Sequence, residues 1–378
     1  MVQNPAVTVR GERRRAGLRM LGDTMSKLTF ELLRLEKTVP LTISRGTSTH
    51  AEIFWLRWSE EGAEGWGEAV PFAIDERPQP MAAIVAAFDQ HASWLQAGSA
   101  WKRQEIDRRL READAPSAFI AAVNQALYDW MGKRVGQPVS RLLGLGEKSG
   151  ALTFATVGIS SPEDAVLRVK KWRDAHDVRA FKVKLGSRAG VEADKAMFAA
   201  VRAVVPDSYR MSVDANGGWA PETAVAMAVW LAGQGVDHVE QPLPRGLEHE
   251  LGAVQAKSPL PIFVDESCRT VADLPSLVGK VSGINIKLMK CGGLDGALRL
   301  LHAARAHGMR ILVGCYGSSA LGNGCALTLA PLVDRVDLDS HLNLKDDPFG
   351  GWILKEGLLA PTASPGFGIS HAKHSLRS

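Results

Sequence analysis

From about residue 151 onward the chain repeats one rhythm. A short β-type run is followed by a turn and then by a longer, Ala-rich stretch whose apolar residues recur at helical spacing. The runs that predict strands are 151–157, 180–185, 210–214, 236–240, 262–265, 283–287, 310–314 and 335–339, eight in all. Helices are predicted between them, among them 162–175, 191–204, 221–234 and 293–307. Strands alternating with helices predict a parallel sheet covered by helices. Eight such units close into a barrel. A doubly wound open sheet is the competing architecture, but no G-x-G-x-x-G follows the first strand, which weakens its dinucleotide-binding version.

Residues 26–150 follow a different pattern. Strands are predicted at 28–36, 49–59 and 65–71, and helical runs follow Pro80, including 117–136. This is an α+β unit standing before the barrel. After Leu344 the chain is rich in Gly and Pro, with Asp346-Asp347-Pro348-Phe349-Gly350-Gly351, and is expected to return to the first unit. The expected division is a disordered basic leader over 1–25, an N-terminal unit over 26–150, the barrel over 151–343 and a returning segment over 344–378.

Composition narrows the function classes. The chain has 378 residues, 46% hydrophobic and 23% charged, as expected of a globular protein with about two domains. Its formal charge is +4, yet five arginines (10, 13, 14, 15 and 19) against Glu12 and Asp23 place +3 of that in the first 24 residues. The body is nearly neutral, so no nucleic-acid surface is indicated. No run of 18 apolar residues predicts a membrane span. Cys268, Cys291, Cys315 and Cys325 form no C-x-x-C pair, which disfavours zinc and a disulfide framework and fits a reduced, cytoplasmic setting.

The chemistry lies in the phase of the polar residues. Lys182 and Lys184 alternate on one strand and share a face. Asp214, Glu240, Asp265 and Lys287 then end successive strands, at spacings of 26, 25 and 22 residues. Each spacing is one βα unit, so the groups gather at the C-terminal mouth of the barrel, where active sites form. Three carboxylates make a hard oxygen site suited to Mg²⁺. Lysines on opposite sides of that ion could serve as acid and base, with pKa values expected to fall from about 10.4 towards neutrality. A single Asp at a strand end is more often a helix cap, and a single Lys-x-Lys pair is more often a solvated face. Six such groups in phase are not explained that way.

The ordered set Lys-x-Lys, Asp214-Ala-Asn216, Val239-Glu-Gln-Pro242, Asp265-Glu-Ser267 and Asn285-Ile-Lys-Leu-Met-Lys290 resembles the muconate-lactonising-enzyme subgroup of the enolase superfamily. The resemblance runs over roughly 26–370 and implies a (β/α)₇β TIM-like barrel under an α+β capping domain formed by N- and C-terminal segments. Gly65-Trp-Gly-Glu-Ala69 and Pro365-Gly-Phe-Gly-Ile369 look like family signatures in those segments. It further implies that Asp214, Glu240 and Asp265 bind Mg²⁺, that Lys184 and Lys287 are the acid/base pair of a 1,1-proton transfer through an enediolate, and that Lys182 steadies the substrate carboxylate.

Asp337-Leu-Asp339 resembles the Asp-x-Asp of dipeptide epimerases, where it binds the free ammonium of the substrate; the alternative is that Asp339 caps the next segment. Thr156 resembles a threonine that contacts the dipeptide, and Arg45, on a capping loop, could reach an anionic side chain. Two loops depart from the subgroup's pattern: Gly314-Cys-Tyr-Gly-Ser-Ser319 and Ser340-His341. The expected partner is a small dipeptide or related carboxylate, and a homo-oligomer is a weak expectation from relatives. Muconate cycloisomerase, o-succinylbenzoate synthase and N-acylamino-acid racemase use the same scaffold and stay open. So does a catalytically silent barrel acting as a binding protein.

Overall fold

The computed structural model describes residues 26–74, 78–145 and 150–372; the basic leader expected over 1–25 lies outside them. The N-terminal unit opens with an antiparallel sheet of Lys27–Ile43, Gly46–Glu60 and Ala63–Ala69. Helices Met81–Gln96, Arg103–Glu112 and Ser117–Arg134 follow. The middle strand carries the unbroken apolar run Ile53-Phe54-Trp55-Leu56, all buried, because both faces of the sheet are covered. On one side Phe54 packs edge-on against Phe119 of the long helix. On the other, Trp55 meets Phe349 at 4.6 Å between ring centroids, and Trp66 stacks on His371.

The long helix Ser117–Arg134 is buried along most of its length and lies directly against the third strand. Gly65 and Gly67 permit this approach. A Cβ at Gly67 would stand 1.9 Å from the Ala122 carbonyl, and one at Gly65 2.0 Å from the Ala126 carbonyl. The Gly-Trp-Gly-Glu-Ala signature is therefore a packing requirement as well as a sequence mark.

The eight-stranded parallel sheet comprises, in chain order, Ala155–Val157, Ala180–Lys184, Arg210–Asp214, Val239–Glu240, Ile262–Val264, Gly283–Ile286, Arg310–Gly314 and Arg335–Asp337, each beside its predecessor. A parallel bridge between Thr153 and Val336 joins first to last and closes the barrel. Helices begin where the side chains favour it. Pro162 opens the first barrel helix, and the Ser161 hydroxyl accepts a hydrogen bond from the Asp164 amide. Between the fifth and sixth strands a 3-10 turn, Val271–Ser276, stands in place of a full helix and has Pro275 inside it.

Two predicted strands are divided by tertiary pairing. Ala151–Leu152 leaves the barrel to pair with Leu358–Pro361, while Ala155–Val157 stays in it. The eighth strand ends at Asp337, so Asp339 lies beyond it, immediately before the 3-10 turn Ser340–Asn343. Among the described residues no helix is long and apolar enough to cross a membrane.

Candidate active site

Parallel pairing sets the site's geometry before any side chain is placed. Register puts Thr156 beside Lys182, Lys184 beside Asp214, and Asp214 beside Glu240. Asp265 and Lys287 each lie one residue past their strand ends. All six charged groups from Lys182 to Lys287 are buried, none more than 7% exposed. Such a density of buried charge persists only where charges are paired.

The pairing is specific. Lys184 Nζ donates to Asp214 Oδ2 at 2.5 Å, Lys182 Nζ to Glu240 Oε2 at 2.9 Å, and Lys287 Nζ to Asp265 Oδ2 at 2.8 Å. Lys182 also pairs with Asp337. Each carboxylate is drawn to its own ammonium, and among the described residues no three His, Cys, Asp or Glu side chains converge on one point. The donor set still fits a hard divalent cation. It consists of carboxylate oxygens from three adjacent strands, with Asn216 Oδ1 and Glu266 Oε2 buried beside them without a partner.

The electrostatics differ from expectation in one respect. Burial opposes charge on Lys182, but Asp337, Glu240 and Asp214 outweigh it and hold its pKa well above the ordinary value. Lys287 is raised likewise, burial being overcome chiefly by Asp265 and Glu240. For Lys182 and Lys287 the nearest neighbours are carboxylates, and the direction is opposite to the expected lowering. For Asp214 and Asp265, burial is outweighed by Lys184 and Lys287 respectively, and both carboxyls lie below the ordinary value.

Asp337 and Asp339 line the same cavity of about 190 Å³ as Lys182, Lys184, Lys287 and Thr156. Asp337 Oδ1 is buried without a partner. Asp339 makes no side-chain cap bond to its own turn; its Oδ2 accepts from the Thr156 amide at 2.6 Å. Burial first, and Asp337 second, push its pKa up to about 6. Thr156 therefore stands behind Asp339 as well as in the cavity wall.

Arg45, at the tip of the hairpin between the first two strands, is less free than the sequence suggested. It pairs with Glu266 at 2.7 Å and donates to the Asn216 carbonyl at 3.2 Å, pinning the cap to the barrel mouth. Ser44 donates to the same carbonyl at 3.0 Å. The cap contributes a second clasp: Phe72 stacks on Tyr316 at 5.0 Å, and the Tyr316 ring lies over Lys287 Nζ at 4.6 Å.

Several residues of the site had no assigned role in the sequence. Lys290 is 1% exposed and donates to Asp265 Oδ1 at 2.7 Å, while Asn285 Nδ2 donates to Glu240 Oε1 at 2.7 Å. Asn216 Nδ2 bridges Asp214 and Glu266. Lys290 had a weak signal, a second lysine one helical turn after Lys287. Lys37 and Arg168, also in the cavity wall, had none, since each reads as a surface position of its element.

Three carboxylates on adjacent strands flanked by lysines at one end of a (β/α)₇β barrel, beneath an α+β cap, define an enolase-type barrel. Residues 27–144 match the mandelate racemase / muconate lactonizing enzyme N-terminal domain, and residues 164–374 match the enolase C-terminal domain-like family. The chain belongs to this mandelate racemase / muconate lactonizing enzyme family of the enolase superfamily. It is 38% identical over 343 residues to the hydrophobic dipeptide epimerase of Flavobacteria bacterium (strain MS024-2A), covering 90% of this chain and 97% of that one. The L-Ala-D/L-Glu epimerase from Bacillus subtilis, solved with substrate, superposes with a TM-score of 0.85 at 28% identity over 91% of this chain and 98% of that one. The dipeptide epimerase from Enterococcus faecalis V583, solved with Mg and L-Leu-L-Tyr, gives 0.84 at 29% identity over 91% and 99%.

Proposed function

We propose that this chain is a Mg²⁺-dependent isomerase that epimerises a dipeptide at the α-carbon of its C-terminal residue. The observation that carries the reading is that Asp337 and Asp339 share one cavity with Lys184 and Lys287. Two carboxylates suit a free ammonium through charge-assisted hydrogen bonds. An N-acyl group offers them no cation, which disfavours N-acylamino-acid racemisation. The relatives named for dipeptide epimerisation, and the relative solved with Mg and a dipeptide, support the same reading.

Asp214, Glu240 and Asp265 would hold Mg²⁺, which would supply positive charge to offset the negative charge developing on a substrate carboxylate. The chain's own residues do the rest. Lys184 and Lys287 come from the second and sixth strands. Strands four apart in an eight-stranded closed sheet lie on opposite walls. One amine can therefore remove the α-proton while the other returns a proton to the opposite face. Lys182, between Glu240 and Asp337, would steady the substrate carboxylate. Anchoring the ammonium at Asp337 and Asp339 would hold the α-carbon between the two amines.

The test is deuterium uptake. The protein is incubated with Mg²⁺ in D₂O and pooled L,L-dipeptides, including L-Ala-L-Glu, and products are read by mass spectrometry. A substrate gains one mass unit at the second residue's α-carbon, and its N-acetylated form does not. Lys184→Ala should abolish epimerisation. Full activity in that variant overturns the two-lysine assignment. Turnover of N-acylamino acids or o-succinylbenzoate precursors, with no dipeptide exchanging, overturns the dipeptide reading.

A further inference from the structure

The cavity wall beside Asp339 carries two cations that the proton chemistry does not use. Lys37 reaches in from the first strand of the cap and Arg168 from the first barrel helix. Both are half-buried. Lys37 Nζ donates to the Ser48 hydroxyl, and the Arg168 guanidinium lies 4.1 Å from the Trp172 ring centroid. Among the described residues neither forms an ion pair with a carboxylate. Burial lowers the pKa of both, that of Arg168 to about 10, and Asp339 is the first group to oppose the fall in each case.

The charges do not balance once a substrate ammonium is present. Asp337 is engaged by Lys182. That leaves Asp337 Oδ1 and Asp339 to answer Lys37, Arg168 and the incoming ammonium together. A half-buried cation with no carboxylate opposite it carries a desolvation cost only partly recovered, which a ligand anion can offset. The three amines of the reaction centre already have carboxylates of their own: Lys182 has Glu240 and Asp337, Lys184 has Asp214 and Lys287 has Asp265. Arg45 is already matched by Glu266. A group attached to the same carbon as the ammonium, by contrast, lies within reach of Asp339's neighbours.

Resting on the dipeptide reading above, we propose that Lys37 and Arg168 form a subsite for an anionic side chain on the first residue of the dipeptide. Preferred substrates then begin with Glu or Asp. Arg168 supplies a planar donor fork already steadied on an indole face, and Lys37 a point charge opposite the helix that carries Arg168.

The experiment compares kcat/KM for L-Glu-L-Xaa with L-Gln-L-Xaa, and for L-Asp-L-Xaa with L-Asn-L-Xaa. Xaa is whichever second residue exchanges fastest in the pooled assay. Each pair differs in charge and hardly in shape. The wild-type protein should favour the acid by about tenfold or more, the scale of one hydrogen bond to a charged group. Lys37→Met and Arg168→Met should each pull that ratio towards one, chiefly through KM. A folding defect lowers both members of a pair alike and leaves the ratio unmoved. Equal or better turnover of the amides overturns the inference while the dipeptide reading stands. So does an acid preference that survives both substitutions. If no dipeptide of any charge exchanges, both fall together.

Discussion

Glu68 offers the most direct check on how the cap is tied to the barrel. Its side chain is fully buried and accepts hydrogen bonds from the Ser319 amide at 3.1 Å, the Ser319 hydroxyl and Trp55 Nε1. Ser319 begins the helix Ala320–Leu327 and follows Tyr316 by three residues, so this contact supports the loop that covers Lys287. Burial dominates and raises the Glu68 pKa from 4.5 to about 7; the Ser319 hydrogen bond opposes the rise, and Asp347, across the same helix start, adds to it. A carboxyl raised on folding stabilises fully below pH 4.5, and that contribution is lost as pH climbs through 7. At 1.36 kcal/mol for each tenfold in proton affinity, the loss between pH 5 and pH 8 is about 2.5 kcal/mol. For a chain of this size, with an unfolding entropy of roughly 0.8 kcal/mol/K, that is about 3 °C in melting temperature. Glu68→Gln keeps the shape and cannot ionise. Melting both proteins at pH 5 and pH 8 should show the variant gaining about 3 °C on the wild type at the higher pH. The same gap at both values would refute the reasoning, since Glu68 would then hold one protonation state throughout.

Other consequences follow from the site and its frame. Asp339, raised to about 6, should take a proton as pH falls through that value, so KM for a dipeptide should rise there; Asp339→Asn should bind weakly at every pH and show no such dependence. Dialysis against EDTA should abolish deuterium exchange, and Mg²⁺ should restore it and raise the melting temperature through binding to the folded state. Lys290→Met removes one of the two ammonium groups on Asp265 and leaves Lys287, so it should destabilise the protein by about 1.5–3 kcal/mol, read by thermal melting. Gly67→Ala forces a Cβ against the Ala122 carbonyl and should cost at least about 3 kcal/mol, seen as poor folding or a lowered melting temperature.

Much of the barrel was legible in the chain because local rules and tertiary outcome agree there. Hydrophobic periodicity marked the helices 162–175 and 191–204 to the residue. The polar residues ending successive strands arrived at one mouth because strands that all run parallel in one closed sheet put their C-terminal ends on the same side. Lys182, Asp214, Glu240, Asp265 and Lys287 were visible for that reason. Asp337 and Asp339 were visible as a pair, but Asp339 reaches the same cavity from just past the strand end, not by alternation along the strand.

What the chain could not show depends on contacts between distant segments. The 151–157 run reads as one strand, yet its halves pair with Leu358–Pro361 and with the barrel, and no local propensity separates them. Lys290 reads as a surface lysine until Asp265 is seen to accept from it. Arg45 reads as a free loop arginine until Glu266 stands 2.7 Å away. Lys37 and Arg168 lie 131 residues apart on a strand and a helix that look solvated from their own neighbours. Closure of the barrel sets Arg168 beside Asp339, and the packing of the cap on the barrel brings Lys37 there. Sequence periodicity records which face of an element turns inward. Which charge a buried charge must answer to is decided only when the elements meet, because Coulomb energy depends on distance in space and burial strips away the water that would otherwise screen it.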